Sequence, residues 1–187
     1  TFKAKIICKY LKTKNHKFLI EPKHIEKSLN SIAYHLEEPR VGQSYPNYYA
    51  SKLASKHVKV ALSGIGGDEF FGGYPWRYLT GLKINNYNEF INKYYKIWQR
   101  LITEDNKKKF FSPIWGNIKT QNNKEIFKNI FKGLNKKINN DTDIINLSLH
   151  FEAKTFLKGL LILDDKLSMC HGIENRVPFL DNNLVDF

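Results

Sequence analysis

The stretch from Val58 to Gly73, VKVALSGIGGDEFFGG, constrains the fold more than any other part of the chain. Val58 to Leu62 reads as a short β-branched strand. It runs without a break into Ser63–Gly73, where five glycines surround the adjacent carboxylates Asp68 and Glu69. Glycine inside a regular element costs about 0.5–1 kcal/mol relative to alanine, so this density implies backbone that turns sharply or lies close to a bound group.

Upstream of the strand, apolar residues recur at helical spacing. Phe2, Ile6, Ile7, Tyr10 and Leu11 form one stripe, and Ile25, Leu29, Ile32, Ala33 and Leu36 form another that opens at Pro22. A third helix starts near Pro46, and His16–Ile20 reads as a further short strand. Helices alternating with strands predict an α/β fold, a parallel sheet with flanking helices. Past Tyr78 the pattern becomes mostly helical. Phe90, Ile91, Tyr94, Tyr95, Trp98, Leu101 and Ile102 make one stripe; Ile126, Phe127, Ile130, Phe131 and Leu134 make a second. We therefore expect an α/β part over 1–78, a helical insertion over 79–163 and a terminal segment over 164–187, with Asn135–Asp143 the best linker.

In an open α/β sheet, ligands bind beyond the carboxyl ends of strands, which is where Ser63–Gly73 falls. The N–H groups of Gly66 and Gly67 can then form an anion-binding nest, and Asp68 and Glu69 can hold a divalent cation against phosphate oxygens. The alternative is a plain strand-to-helix turn with solvated acids. Two other nucleotide motifs fail: no G-x-x-x-x-G-K-[ST] is present, and a dinucleotide fingerprint beginning at Gly64 would put Glu69 in place of its third glycine.

A second constellation is DDKLSMCHGIENRVPFLD, Asp164–Asp181. Asp165–Ile173 reads as a short helix broken near Gly172, and Glu174 and Arg176 share one face of an extended segment. Together they can meet a zwitterionic or phosphorylated ligand, or they can form a buried structural ion pair. His171 reads as an ordinary helix-end residue, and Asp181 as the N-cap of a last helix.

VKVALSGIGGDEFFGGYPWRY and DKLSMCHGIENRVPFLDNNLVDF resemble the two signature stretches of the synthetase domain of glutamine-dependent asparagine synthetases, and HLEEP at His35–Pro39 resembles a third. The resemblance implies an ATP-pyrophosphatase fold of the adenine nucleotide alpha hydrolase type. It implies a reaction in which ATP adenylates the side chain of aspartate and ammonia, drawn from glutamine, displaces AMP. It places Ser63 and Gly64 at the ATP and Asp68 on a magnesium that bridges to pyrophosphate, with Glu69 as a neighbouring candidate and Arg176 as a substrate contact. Where the family has an acidic residue thought to help remove a proton from the attacking amine, this chain has Ile65, and a β-lactam-forming relative has a tyrosine with a partner glutamate. Isoleucine cannot exchange a proton. Glu174 is the expected substitute.

The family's S-G-G-x-D-S pyrophosphate loop, its glutaminase domain and a lysine that serves the intermediate are not in these 187 residues. The expectation is a piece of a longer protein, inactive by itself and partnered by the rest of its own polypeptide. A catalytically degenerate relative is the alternative that Ile65 motivates. The acceptor is aspartate by default, and carboxylates on sugars or peptides need only a reshaped pocket.

Charge raises a third possibility. The formal net charge of +12 suits nucleic acid, but the lysines are scattered and are not interleaved with aromatics, so a solvated lysine-rich surface is the expectation. Cys8 and Cys170 lie far apart and form no metal-ligand spacing, which fits a reduced cytoplasmic setting. No apolar run approaches the roughly 18 residues of a membrane span, so no membrane partner is expected.

Overall fold

The computed structural model describes residues 2–38, 44–79, 83–84, 86–99, 102–117, 122–135 and 137–186, and for Glu104 the backbone alone. Along the chain, α1 (Phe2–Tyr10), α2 (Pro22–Leu36) and α3 (Ser44–Ala54) precede β1 (Val60–Leu62). Then come α4 (Gly67–Phe71), α5 (Pro75–Leu79), α6 (Tyr87–Trp98), α7 (Glu104–Phe110), α8 (Asn123–Asn129) and α9 (Asp141–Phe151). A π-helical turn, Glu152–Phe156, leads into α10 (Leu157–Met169), which is followed by β2 (Glu174–Arg176) and α11 (Asn182–Asp186). The structure is mostly helical, with one small parallel sheet among the described residues. No described helix is long and apolar enough to cross a membrane.

The chain divides into two compact units, residues 1–65 with 159–187, and residues 66–158. In the first unit β1 and β2 pair in parallel, with Val60, Ala61 and Leu62 opposite Glu174, Asn175 and Arg176. The ladder continues at both ends: Glu174 N donates to Lys59 O at 2.9 Å, and Ser63 N to Arg176 O at 2.8 Å. Ile32, Leu36, Tyr48, Tyr49, Leu163 and Leu167 bury together as its core. Glu37 caps α2 in the left-handed region, and Lys166 Nζ bonds both Leu36 O at 3.0 Å and Glu37 Oε2 at 2.6 Å. The HLEEP stretch is thereby tied to the later signature; its Pro39 lies outside the described residues.

Two expectations need correction. His16–Ile20 is not a strand: Phe18 stacks on Tyr49, with ring centroids 4.9 Å apart and planes 7° from parallel, and His16 packs on His57 at 4.0 Å. Side-chain stacking holds that segment, with no strand beside it among the described residues to complete a ladder. The helix expected over Asp165–Ile173 starts earlier, at Leu157, and ends at Met169, before a turn in which Gly172 takes a φ of +66°. Asp181 does open α11, accepting from Asn183 N at 3.0 Å.

The second unit is aromatic at its centre. Phe90, Tyr94, Phe127, Phe131, Ile144 and Phe151 are buried, and Phe131 lies within 5.6 Å of Phe90 and 5.4 Å of Phe127, centroid to centroid. Asn140 caps α9 by accepting from Asp143 N, so the proposed linker ends in a built helix start. Leu101 of the first predicted stripe lies outside the described residues. Because Phe131 is fully buried among rings that cannot all collapse inward, Phe131→Ala should cost about 3–5 kcal/mol. Urea unfolding checks this, and a loss under 1 kcal/mol would show that the aromatic cluster is not the core.

Candidate functional site at the end of β1

Ser63 and Ile65 sit just past the carboxyl end of β1. Ser63 N is held by the ladder, and Ser63 Oγ accepts from Ile65 N at 3.5 Å, a long contact that starts the turn. Asp164 on α10 lies beside the Ser63 hydroxyl, and Asn175 Nδ2 on β2 donates to Asp164 Oδ2 at 3.0 Å. Burial pushes the Asp164 carboxyl above its usual range, against the opposing pull of the Asn175 amide and the nearby Ser63 hydroxyl. A half-buried carboxyl with a raised proton affinity at the end of a strand is suited to accept a proton.

Sequence reasoning missed Asp164, although its motif had been singled out. The available signal was its position in DDK, the first of two acids that close the apolar run Leu160–Leu163, but only the fold brings it near Ser63. Glu174, the expected substitute base, stands elsewhere. The strand register sets it opposite Val60, at the start of β1, whereas Arg176 is opposite Leu62. Glu174 Oε1 accepts from Arg176 Nε at 2.8 Å with both side chains well exposed, so the two do share a face, and their pairing is a surface one rather than a buried one. His171 packs edge-on against Tyr48 at 4.4 Å, in keeping with a helix-end role.

The glycine loop continues in the second unit. Gly66 takes a φ of +96° and is buried, a conformation that opens α4 without a side chain. Glu69 is 2 % exposed. Its Oε2 accepts from Gly66 N at 2.9 Å and its Oε1 from the Tyr74 hydroxyl at 2.5 Å, so both oxygens serve the loop itself. Asp68, one residue earlier, is exposed. Its carboxylate rests over Gly73: a Cβ at Gly73 would fall 2.0 Å from Asp68 Oδ1 and 2.4 Å from its Cγ. The two acids thus divide into a buried anchor and an exposed carboxylate. No group of three or more potential metal ligands occurs among the described residues.

The profile of the family described as asparagine synthase matches residues 2–187. An asparagine synthetase (glutamine-hydrolysing) of Bacillus subtilis is 28% identical over 201 residues, covering 90% of this chain and 30% of that protein. A putative asparagine synthetase of Methanocaldococcus jannaschii is 37% identical over 90 residues, covering 48% of this chain and 16% of the relative. A putative asparagine synthetase of Mycobacterium tuberculosis is 26% identical over 186 residues, 82% of this chain and 27% of its own. The chain therefore spans less than a third of these relatives. No solved structure matches it.

The packing of Asp68 over Gly73 generates a paired prediction. Gly73→Ala should lower stability by about 1–3 kcal/mol, since the carboxylate must be displaced. Gly64→Ala, with nothing within 4 Å of the added methyl, should stay within about 0.5 kcal/mol of wild type. Equal losses in urea unfolding would contradict the arrangement.

Proposed function

The chain belongs to the asparagine synthase family, and from that membership we propose that it forms part of an ATP-dependent ligase that turns a carboxylate into an amide. In this reading ATP adenylates the carboxylate, aspartate by default, within an ATP-pyrophosphatase fold of which β1 and β2 are two strands. Ammonia derived from glutamine then attacks the acyl carbon. The carbon–nitrogen bond forms, the acyl–phosphate bond breaks, AMP leaves with the electron pair, and the nitrogen gives up a proton.

The observation that carries this reading is the parallel pairing of β1 with β2, because it joins the two signature stretches and brings Asp164 to the Ser63 hydroxyl. Ser63, Gly64, Gly66 and Gly67 would line the nucleotide phosphates. Asp68 would hold magnesium, whose charge offsets that of the departing pyrophosphate. Glu69 keeps the loop closed and Arg176 contacts the substrate. With Ile65 unable to take a proton, Asp164 is the acceptor, one hydroxyl removed from the Ile65 backbone. A catalytically degenerate relative that retains nucleotide binding is the second reading, favoured by Ile65 alone.

Asp164→Asn keeps the shape and removes the base, so amide formation in the complete protein should fall about 10²–10⁴-fold while ATP binding holds. Glu174→Gln should change the rate little. The reverse ranking would return the role to Glu174, and activity lost in neither variant would favour another base. Stability should move separately. Folding raises the affinity of Asp164 for its proton, so its contribution favours the fold in acid and declines as pH rises through the folded pKa. Asp164→Asn should therefore match or exceed wild-type stability at neutral pH, as thermal melts at several pH values would show.

Asp68→Asn should leave the fold nearly unchanged and weaken magnesium-dependent ATP binding, measured by calorimetry. Wild-type affinity in this variant would remove the metal assignment.

A further inference from the structure

Within the second unit lies a buried ion pair that the reaction does not call on directly. Arg77 on α5 is 4 % exposed and Glu152 is fully buried, and Arg77 Nη1 donates to Glu152 Oε2 at 2.6 Å. The Tyr94 hydroxyl donates to the other Glu152 oxygen at 3.0 Å. Burying two charges costs several kcal/mol per ion before their attraction is counted, and an apolar pair of the same volume is often at least as stable. Such a pair therefore calls for an explanation beyond stability.

Its surroundings supply one. The guanidinium is caged by rings, with Cζ 3.9 Å from the centroid of Tyr74, 4.5 Å from Phe156 and 5.0 Å from Trp98. The shortest of these contacts is to the ring whose hydroxyl holds Glu69. Glu152 also opens the π-helical turn Glu152–Phe156, where Thr155 Oγ1 donates back to Phe151 O at 2.7 Å. π-Helical turns of this kind recur at functional positions, because the extra residue re-aims side chains on either side of it. Here the turn directs Glu152 to Arg77 and Phe156 to the face of the guanidinium.

The contacts run in one line. Tyr94 and Glu152 fix Arg77; Arg77 fixes the plane of the Tyr74 ring; Tyr74 fixes Glu69; Glu69 holds Gly66 N–H and so closes the turn that presents Asp68. Each member has few other ways to sit. A guanidinium stacked on a ring at this distance resists tilting of either plane, and both Glu69 oxygens are committed.

We propose that the buried Arg77–Glu152 pair is a positioning element for the glycine loop, acting through the Tyr74 ring and Glu69 to hold Asp68 in its metal-binding orientation. The inference rests on the proposed function, since it takes Asp68 as the magnesium-linked residue. In this reading Arg77, Glu152 and Tyr74 act on the site only through Glu69. They set the geometry of the residue that meets the metal.

Calorimetry with ATP in the presence of magnesium and again in EDTA, on the complete protein, tests it. Tyr74→Phe retains the ring against Arg77 and removes only the hydroxyl to Glu69, so it should still fold, with a melting temperature lowered by the donor that one buried Glu69 oxygen loses. Its magnesium-dependent ATP affinity should fall about 5- to 30-fold, the consequence of one or two kcal/mol at the site, with metal-free affinity unchanged. Glu152→Gln should show the same selective loss, and the double variant should lose no more than the larger single loss, because the two changes break one path. Should Glu152→Gln fail to fold, Tyr74→Phe still decides the question. Wild-type magnesium dependence in Tyr74→Phe, or losses that add in the double variant, would overturn the proposal while leaving the ligase reading standing. A wild-type protein that shows no magnesium-dependent ATP binding would overturn both.

Discussion

Parallel pairing of Val60–Leu62 with Glu174–Arg176 is the contact on which the first unit depends. The two strands come from distant parts of the sequence, so the ladder must offset the entropy of closing a long loop as well as that of ordering its own residues. Three residues a side cannot do this through hydrogen bonds worth about 0.5–1.5 kcal/mol each. The remainder comes from the core that α2, α3 and α10 build, in which Leu163 and Leu167 pack with Ile32, Leu36, Tyr48 and Tyr49. The helix that supplies Leu163 also carries Asp164, so one element contributes to the core and delivers a carboxyl to the strand end.

The second unit solves a different problem. Its aromatic core leaves room for a charge at its heart, and Arg77 is tolerated there because Glu152 pairs with it and aromatic faces cover it. The adjacent Glu69 follows the same rule: a buried carboxylate whose two oxygens each receive a donor. Of two adjacent acids, the loop buries Glu69 to hold its own shape and leaves Asp68 exposed. The twist of α4 turns neighbouring side chains roughly 100° apart, and packing decides which of the two faces is buried.

Much of the fold was legible. Apolar spacing located α2, α6 and β1, Pro22 and Asp181 marked helix starts, and the alternation of Glu174 and Arg176 gave them a common face. Local patterns suffice where the determining physics is local: periodicity, capping and turn chemistry act within a few residues. The same patterns misread His16–Ile20, since a β-rich run becomes a strand only beside another strand, and this one is held by ring stacking.

The candidate site was legible in kind and not in arrangement. From the sequence alone came the strand, the glycine-rich turn, the adjacent acids and the resemblance that links them to ATP chemistry, because those depend on residue types in consecutive positions. Tertiary structure decided which acid faces outward, that Glu174 lies at the start of the paired strands while Asp164 reaches Ser63, and that Arg77 and Glu152 meet beneath Tyr74. Each of those outcomes turns on burial and on strand register. Both are set by contacts between residues far apart in the chain, and neither is encoded in any short stretch of it.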